Sequence, residues 1–192
     1  MPTESRIKKL ENVLRNRLFN LTLVLENIND PHNVSAIFRT ADAVGISVVN
    51  LVYTNEKFPK LGRKSSASAN KWVDKKSFNS PKKCITSLKK KGFKIYATKL
   101  DKNSKSIFDF KISEKTAIVF GNEHSGVSEE IQNLVDGTIY IPMRGMVQSL
   151  NVSVSCGIIL YEILKQILMN QINIYKLNEI QIKRMLKKWL KK

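Results

Sequence analysis

Histidine and cysteine are scarce: the 192 residues hold two of each. Cys84 and Cys156 form no CxxC pair and suggest no disulfide framework, so a reducing cytoplasm is the expected home. So few soft ligands give no basis for a zinc site, and no metal is expected. There is no uninterrupted run of 18 apolar residues, so no membrane span is expected. The opening stretch, residues 1–9, lacks an apolar signal core, so export is not expected. Several chemical fingerprints are absent as well. No GxGxxG follows the first strand-like run, and there is no GxSxG elbow. Gly121 and Gly126 have the glycine spacing of a P-loop, but Val127 follows where that loop needs lysine. Acidic side chains are also few, 16 against 33 Lys and Arg, which leaves a net charge of +17.

The 42% hydrophobic content is that of an ordinary globular chain, long enough for one core. The charge is uneven. Residues 57–105 carry sixteen basic and two acidic side chains, net +14, and residues 165–192 carry eight and one, net +7. Residues 1–20 add +3, while 21–56 and 106–164 are −3 and −4. A polyanion is the natural partner, because Lys and Arg displace condensed counterions from phosphates. A lysine-rich compositional bias is the bland alternative, but bias alone does not spare the central blocks.

Apolar periodicity predicts helices over residues 4–19, 149–169 and 175–190. Short apolar runs predict strands at 21–25, 47–53, 93–98, 116–120 and 138–141. Asn33 is placed to cap a helix through Val44, which Gly45 would end. Ser80-Pro81 starts another, which Gly92 stops. Ser128 caps a short helix to about Val135, and residues 55–70 read as a loop. Strands alternate with helices, so the expected fold is α/β, a parallel sheet with helices on both faces. The expected organisation is a central domain at 21–169 with basic helical extensions at 1–20 and 170–192.

Three polar clusters follow strand-like runs. The first contains Asn29, Asp30, Pro31, His32, Asn33 and, six positions on, Arg39. The second is Phe120 to Gly126 around Glu123. The third runs from Ile141 through Arg144, Gly145 and Met146 to Ser149, Leu150 and Asn151. Ligands of open α/β sheets sit at the carboxyl ends of strands, where all three belong. Taken together the clusters resemble motifs one, two and three of the SpoU branch of the SPOUT RNA ribose 2′-O-methyltransferases, from about Leu21 to about Leu164. The stretch Ser66 to Val73 and the basic ends resemble the tRNA guanosine-18 (TrmH) subgroup.

That resemblance implies a C-terminal deep trefoil knot, S-adenosylmethionine held in it, and an obligate homodimer. It implies methyl transfer to a tRNA ribose 2′-hydroxyl, at guanosine 18. Arg39 would activate the hydroxyl opposite the partner subunit's cofactor, with Asn33, Glu123, Ser149 and Asn151 as the other catalytic-site residues. Thr98, Leu100, Gly121, Ile141, Met146, Ser149 and Leu150 are the expected cofactor contacts. Arg63, Lys64, Lys89, Lys90, Arg184 and Lys187 are the candidate RNA contacts. Plainer readings stand beside these: Asn33 as a helix cap, Arg39 as a surface ion-pair residue, Glu123 as a turn cap and Ser149 as an N-cap. Two other functions also stay open, methylation of a different tRNA or rRNA ribose and RNA binding without catalysis on the same scaffold.

Overall fold

The computed structural model describes residues 2–54, 57–59, 69–112 and 114–192. Along them run α1 (Glu4–Arg15), β1 (Leu21–Glu26), α2 (Pro31–Val44), β2 (Val48–Val52), α3 (Ala69–Trp72) and β3 (Asp74–Phe78). Next come α4 (Pro81–Lys89), β4 (Lys94–Thr98), β5 (Lys105–Ser106), β6 (Thr116–Phe120), α5 (Glu129–Gln132) and β7 (Gly137–Tyr140). The chain closes with α6 (Val152–Met169), a 3-10 turn at Asn173–Tyr175 and α7 (Glu179–Trp189). The strands form one sheet in the order β3-β2-β1-β6-β4-β7-β5, every described pairing parallel. This is the α/β architecture the alternating pattern predicts.

Central β1 (Leu-Thr-Leu-Val-Leu-Glu) is buried throughout. Side chains alternate across a strand, so Leu23 and Leu25 join Ile37, Phe38, Ile159 and Ile163 in one core while Val24 joins Cys84, Ile85 and Ile131 in another. Helices α2 and α6 therefore cover one face, and α4 and α5 the other. By length and hydropathy α6 could cross a membrane. Its Cys156, Ile159, Leu160, Ile163 and Ile167 are buried in the protein core, which is how a core helix meets the same test.

The structure corrects several boundaries. The first helix ends at Arg15 rather than residue 19. The helix expected from residue 149 begins at Val152, with Asn151 as its cap. The last helix begins at Glu179, where Asn178 and Gln181 form a reciprocal capping box that satisfies two orphan donors. The short helix after Ser128 ends at Gln132. Two strands were not anticipated. Edge strand β3 reads Asp-Lys-Lys-Ser-Phe and has no apolar face to bury, and β5 is two residues long. Asn33 is not a cap. Pro31 fixes the first turn, Asp30 accepts the His32 N–H at 2.8 Å, and Asn33 lies inside α2.

The two ends of the chain meet. Leu10 and Leu14 of α1 pack with Ile182 and Trp189 of α7. The Trp72 and Trp189 rings lie 4.9 Å apart, and Arg17 sits 5.2 Å from the Trp189 ring. The Arg17 side chain is 1% exposed, pairs with Asp42 of α2 and donates to the Ile46 carbonyl at 2.7 Å. Removing one partner of a buried pair strands the other charge. Asp42→Ala should therefore lower stability by about 3 kcal/mol, read as a fall in urea midpoint at constant slope. An unchanged midpoint would exclude this role. On the same side of the molecule burial works to raise the Asp74 carboxyl, but hydrogen bonds from Lys188 and Lys192 hold it below its usual value. Burial pushes the Cys84 thiol up to about 12 and raises that of Cys156 as well. Neither is a thiolate at neutral pH, so neither is a nucleophile.

Candidate active site

Parallel strands bring the loops after β1, β6 and β7 to one edge of the sheet. Because Asp30 does the capping, the Asn33 side chain is free to bond elsewhere. Its Nδ2 donates to Glu123 Oε1 at 2.9 Å, and its Oδ1 accepts from Asn151 Nδ2 at 2.9 Å. Three segments about 90 and 118 positions from one another are thus tied by two side-chain bonds through one residue that is only 7% exposed. Each end of the chain of bonds is fixed in turn. Glu123 also accepts the backbone N–H groups of Asn29 and Asp30, at 3.3 and 3.4 Å. Asn151 Oδ1 caps α6, accepting from the Ser153 N–H at 2.8 Å and the Ser153 hydroxyl at 2.6 Å. An amide suits the middle position because it donates to a carboxylate on one side and accepts from an amide on the other.

The second segment is a tight turn. Asn122 and Gly126 exchange backbone bonds at 3.0 and 2.9 Å. Asn122 Nδ2 donates to the Asn27 carbonyl at 2.8 Å. A Cβ on Gly121 would lie 2.2 Å from the Gly126 carbonyl carbon. The contact is with backbone, so nothing can swing aside. Gly121→Ala should cost about 3 kcal/mol and displace Glu123. A melting temperature and an activity both equal to wild type would contradict that. At the far end of this turn buried Glu26 accepts the Ser128 N–H at 2.9 Å and its hydroxyl at 2.5 Å.

A cleft of about 160 Å³ opens beside the third segment. It takes Thr98 and Leu100 from the end of β4, Ile141 from the end of β7, and Ser149 and Leu150 from before α6. Thr98 Oγ1 is turned back to the Val119 carbonyl at 3.0 Å. Residues 141–150 lie outside regular secondary structure, so no sheet ladder claims their backbone donors and acceptors. Apolar walls with free backbone groups suit a flat heterocycle. Lys99, Tyr140, Gln148, Ser155 and Ile159 also line the cleft. Sequence reasoning missed them, although Ser155 and Ile159 stand four apart on α6, the spacing of one helix face.

The chain from residue 20 to residue 161 matches the family model described as the SpoU rRNA Methylase family. The chain belongs to that family. It is 43% identical over 164 residues to a tRNA (guanosine(18)-2'-O)-methyltransferase of Thermus thermophilus, across 85% of this chain and 84% of that enzyme. The crystal structure of the Aquifex aeolicus TrmH/SpoU tRNA modifying enzyme superposes with TM-score 0.89 at 39% identity, over 97% of this chain and 95% of that one. The SpoU methyltransferase AviRb from Streptomyces viridochromogenes, solved with its cofactor AdoMet, shares the fold at TM-score 0.69 and 22% identity, over 82% of this chain and 61% of that one.

The other expected site residues of this SpoU protein are placed as follows. Arg39 is exposed on α2 and, among the described residues, has no ion pair. Met146 is 100% exposed and does not line the cleft. Gly121 is buried in its turn, outside the cleft lining. Arg63 and Lys64 fall outside the described residues. Lys89 and Lys90 end α4, which returns to the amino edge of the sheet, opposite Asn33. Lys89 pairs with Asp136 at 3.5 Å. Arg184 and Lys187 are exposed on α7 and line a second cleft with Phe19 and Met185.

Proposed function

We propose that this chain methylates a ribose 2′-hydroxyl of tRNA, at guanosine 18, with S-adenosylmethionine as donor. The observation that carries the reading is the Asn151–Asn33–Glu123 chain of bonds next to a cleft whose apolar walls and backbone groups suit the donor's adenine. The guanosine-18 enzymes at 39–43% identity supply the substrate. The net charge of +17 suits an RNA partner.

Thr98, Leu100, Ile141, Ser149 and Leu150 would hold the cofactor, which supplies an electrophilic methyl group on a sulfonium. The remaining work is alignment and removal of one proton. Arg39 cannot take that proton, because a guanidinium stays charged in proteins. It orients the hydroxyl and stabilises the alkoxide, and phosphate or water accepts the proton. Asn33 and Glu123 hold the start of α2, and with it the register of Arg39. Ser149 and Asn151 fix the loop that runs from cleft to helix.

The active form is a homodimer. Val154, Tyr161 and Leu168 are exposed on α6, and their seven-residue spacing puts them on one stripe. The opposite stripe is already buried in the core. Val147 and Met146, shortly before the helix, are exposed as well, and exposed apolar patches mark interfaces. A second copy covering it brings Arg39 to the partner's cleft. The chain segment from the cleft into α6 is read as the threaded part of a trefoil knot. The residues at 21–169 form the methyltransferase domain, with 1–20 and 170–192 as additions; the family match lies within residues 20–161. The setting is the cytoplasm, without a membrane.

Purified protein, S-adenosylmethionine and an unmodified tRNA transcript should yield one 2′-O-methyl group, at guanosine 18, when modified sites are mapped. Methylation elsewhere would replace the substrate assignment. No detectable cofactor binding by calorimetry, together with no RNA product, would favour an RNA-binding role without catalysis.

A further inference from the structure

A third cleft, of about 690 Å³, opens at the same carboxyl edge of the sheet as Asn33 and Glu123, and the reaction described above does not use it. Its volume falls within the roughly 300–1,000 Å³ of small-molecule sites. Its wall is aromatic: Tyr53 follows β2, Phe78 ends β3, and Phe58 packs edge to face on Tyr53 with ring centroids 5.3 Å apart at 88°. Its rim is cationic, from Lys57 and Lys83, with Asn79 as a neutral hydrogen-bonding group. Among the described residues that line it, none is acidic. Next to it Lys75, on the edge strand, stands 5.8 Å from the Phe58 ring.

We infer that this cleft is a subsite for an unpaired nucleobase of the RNA substrate, held by stacking on Tyr53, Phe58 and Phe78 with its phosphates on Lys57 and Lys83. The inference rests on the reading that the substrate is RNA. Three observations favour this occupant. Aromatic faces within a cationic rim are the chemistry that binds single-stranded nucleic acid, since every base has a stacking face and every linkage a charge. The block at 57–105 has a net charge of +14, which repels a second copy of the same surface and attracts a polyanion. Edge strand β3, with exposed Lys75 and Lys76, is protected against pairing with another strand.

The cleft also touches the catalytic machinery. The Tyr53 hydroxyl donates to the Ile28 carbonyl at 2.8 Å. The next two residues, Asn29 and Asp30, donate their N–H groups to Glu123. A base seated against Tyr53 therefore bears on the loop that sets Asn33. The exposed cations Lys89 and Lys90 lie at the opposite edge, so they suit the body of the RNA rather than the nucleotides near the reacting ribose.

The test compares binding and turnover on an unmodified tRNA transcript. Phe58→Ala should raise the dissociation constant and KM for the transcript by about 10-fold or more. S-adenosylmethionine affinity should stay near wild type, because Phe58 is absent from the cofactor cleft, and Phe58→Trp should restore RNA binding. Lys57→Ala/Lys83→Ala alters only the rim, so folding is not at stake. It should reduce the slope of log affinity against log salt by about 1.5. Wild-type RNA affinity in Phe58→Ala together with a wild-type salt slope in the lysine pair would overturn the inference. So would dissociation of a dimer by Phe58→Ala at unchanged RNA affinity, which would make the cleft an interface between copies. If the wild-type protein itself neither bound nor methylated the transcript, the functional reading would fail instead.

Discussion

Arg39→Ala is expected to lower kcat for RNA methylation by about 10³-fold while S-adenosylmethionine binding stays intact. The separation follows from position. Arg39 is exposed on α2 and is absent from the cleft lining, so the cleft loses nothing when it is removed. What is lost, in the proposed mechanism, is the fixed positive charge that favours the alkoxide over the hydroxyl. Arg39→Lys should recover little, because a compact ammonium cannot reproduce a planar fork that orients an oxygen with two donors. Steady-state kinetics on a tRNA transcript, paired with calorimetry for the cofactor, reads both quantities. Turnover equal to wild type in Arg39→Ala would remove it from the mechanism and return it to the surface ion-pair reading, which the structure offers no partner for among the described residues.

Asn33→Asp should have the second large effect, on stability as well as on rate. The substitution preserves shape but replaces an amide donor with a carboxylate, 2.9 Å from Glu123 and largely out of water. Two carboxylates that close cannot both ionise, so the pair must share a proton and the pKa of one is raised. A raised folded-state pKa gives stability that is present below the unfolded value, near pH 4, and is lost as pH rises through the folded value. The variant should therefore be about 2–3 kcal/mol less stable than wild type at neutral pH and should approach it in acid. Urea unfolding at several pH values tests this. A deficit that does not shrink toward acid would mean that Asn33 and Glu123 are not coupled. Asn33→Ala lacks the second carboxylate and should show no such pH signature.

Much of this molecule is legible in the chain because its signals are local. Leu21 to Leu25 is apolar without interruption, as a strand covered on both faces must be. Ser80-Pro81 and Gly92 bracket α4 at the expected places, and the alternation of strands and helices leaves few choices besides a parallel sheet. The three polar clusters are also visible, since each follows an apolar run and α/β proteins concentrate ligands there. Errors gathered where two local signals compete. Asp30 and Asn33 are both capping residues, and Pro31 decides for Asp30 by fitting only the first helical turn. Edge strand β3 has no hydrophobic code to read, because an edge needs charge more than it needs burial.

The sequence by itself determined the α/β class, the basic character and the positions of the three polar clusters, because composition and short-range patterning encode those directly. Only the tertiary structure decided that Asn33 joins Glu123 to Asn151, that Thr98, Ile141 and Leu150 share a cleft, and that Tyr53, Phe58 and Phe78 form another. Those contacts depend on strand order: β6 lies beside β1 and β7 beside β4, although the chain visits them far apart. Loop-to-loop proximity is fixed by which strands exchange hydrogen bonds, and no stretch of local sequence contains that information.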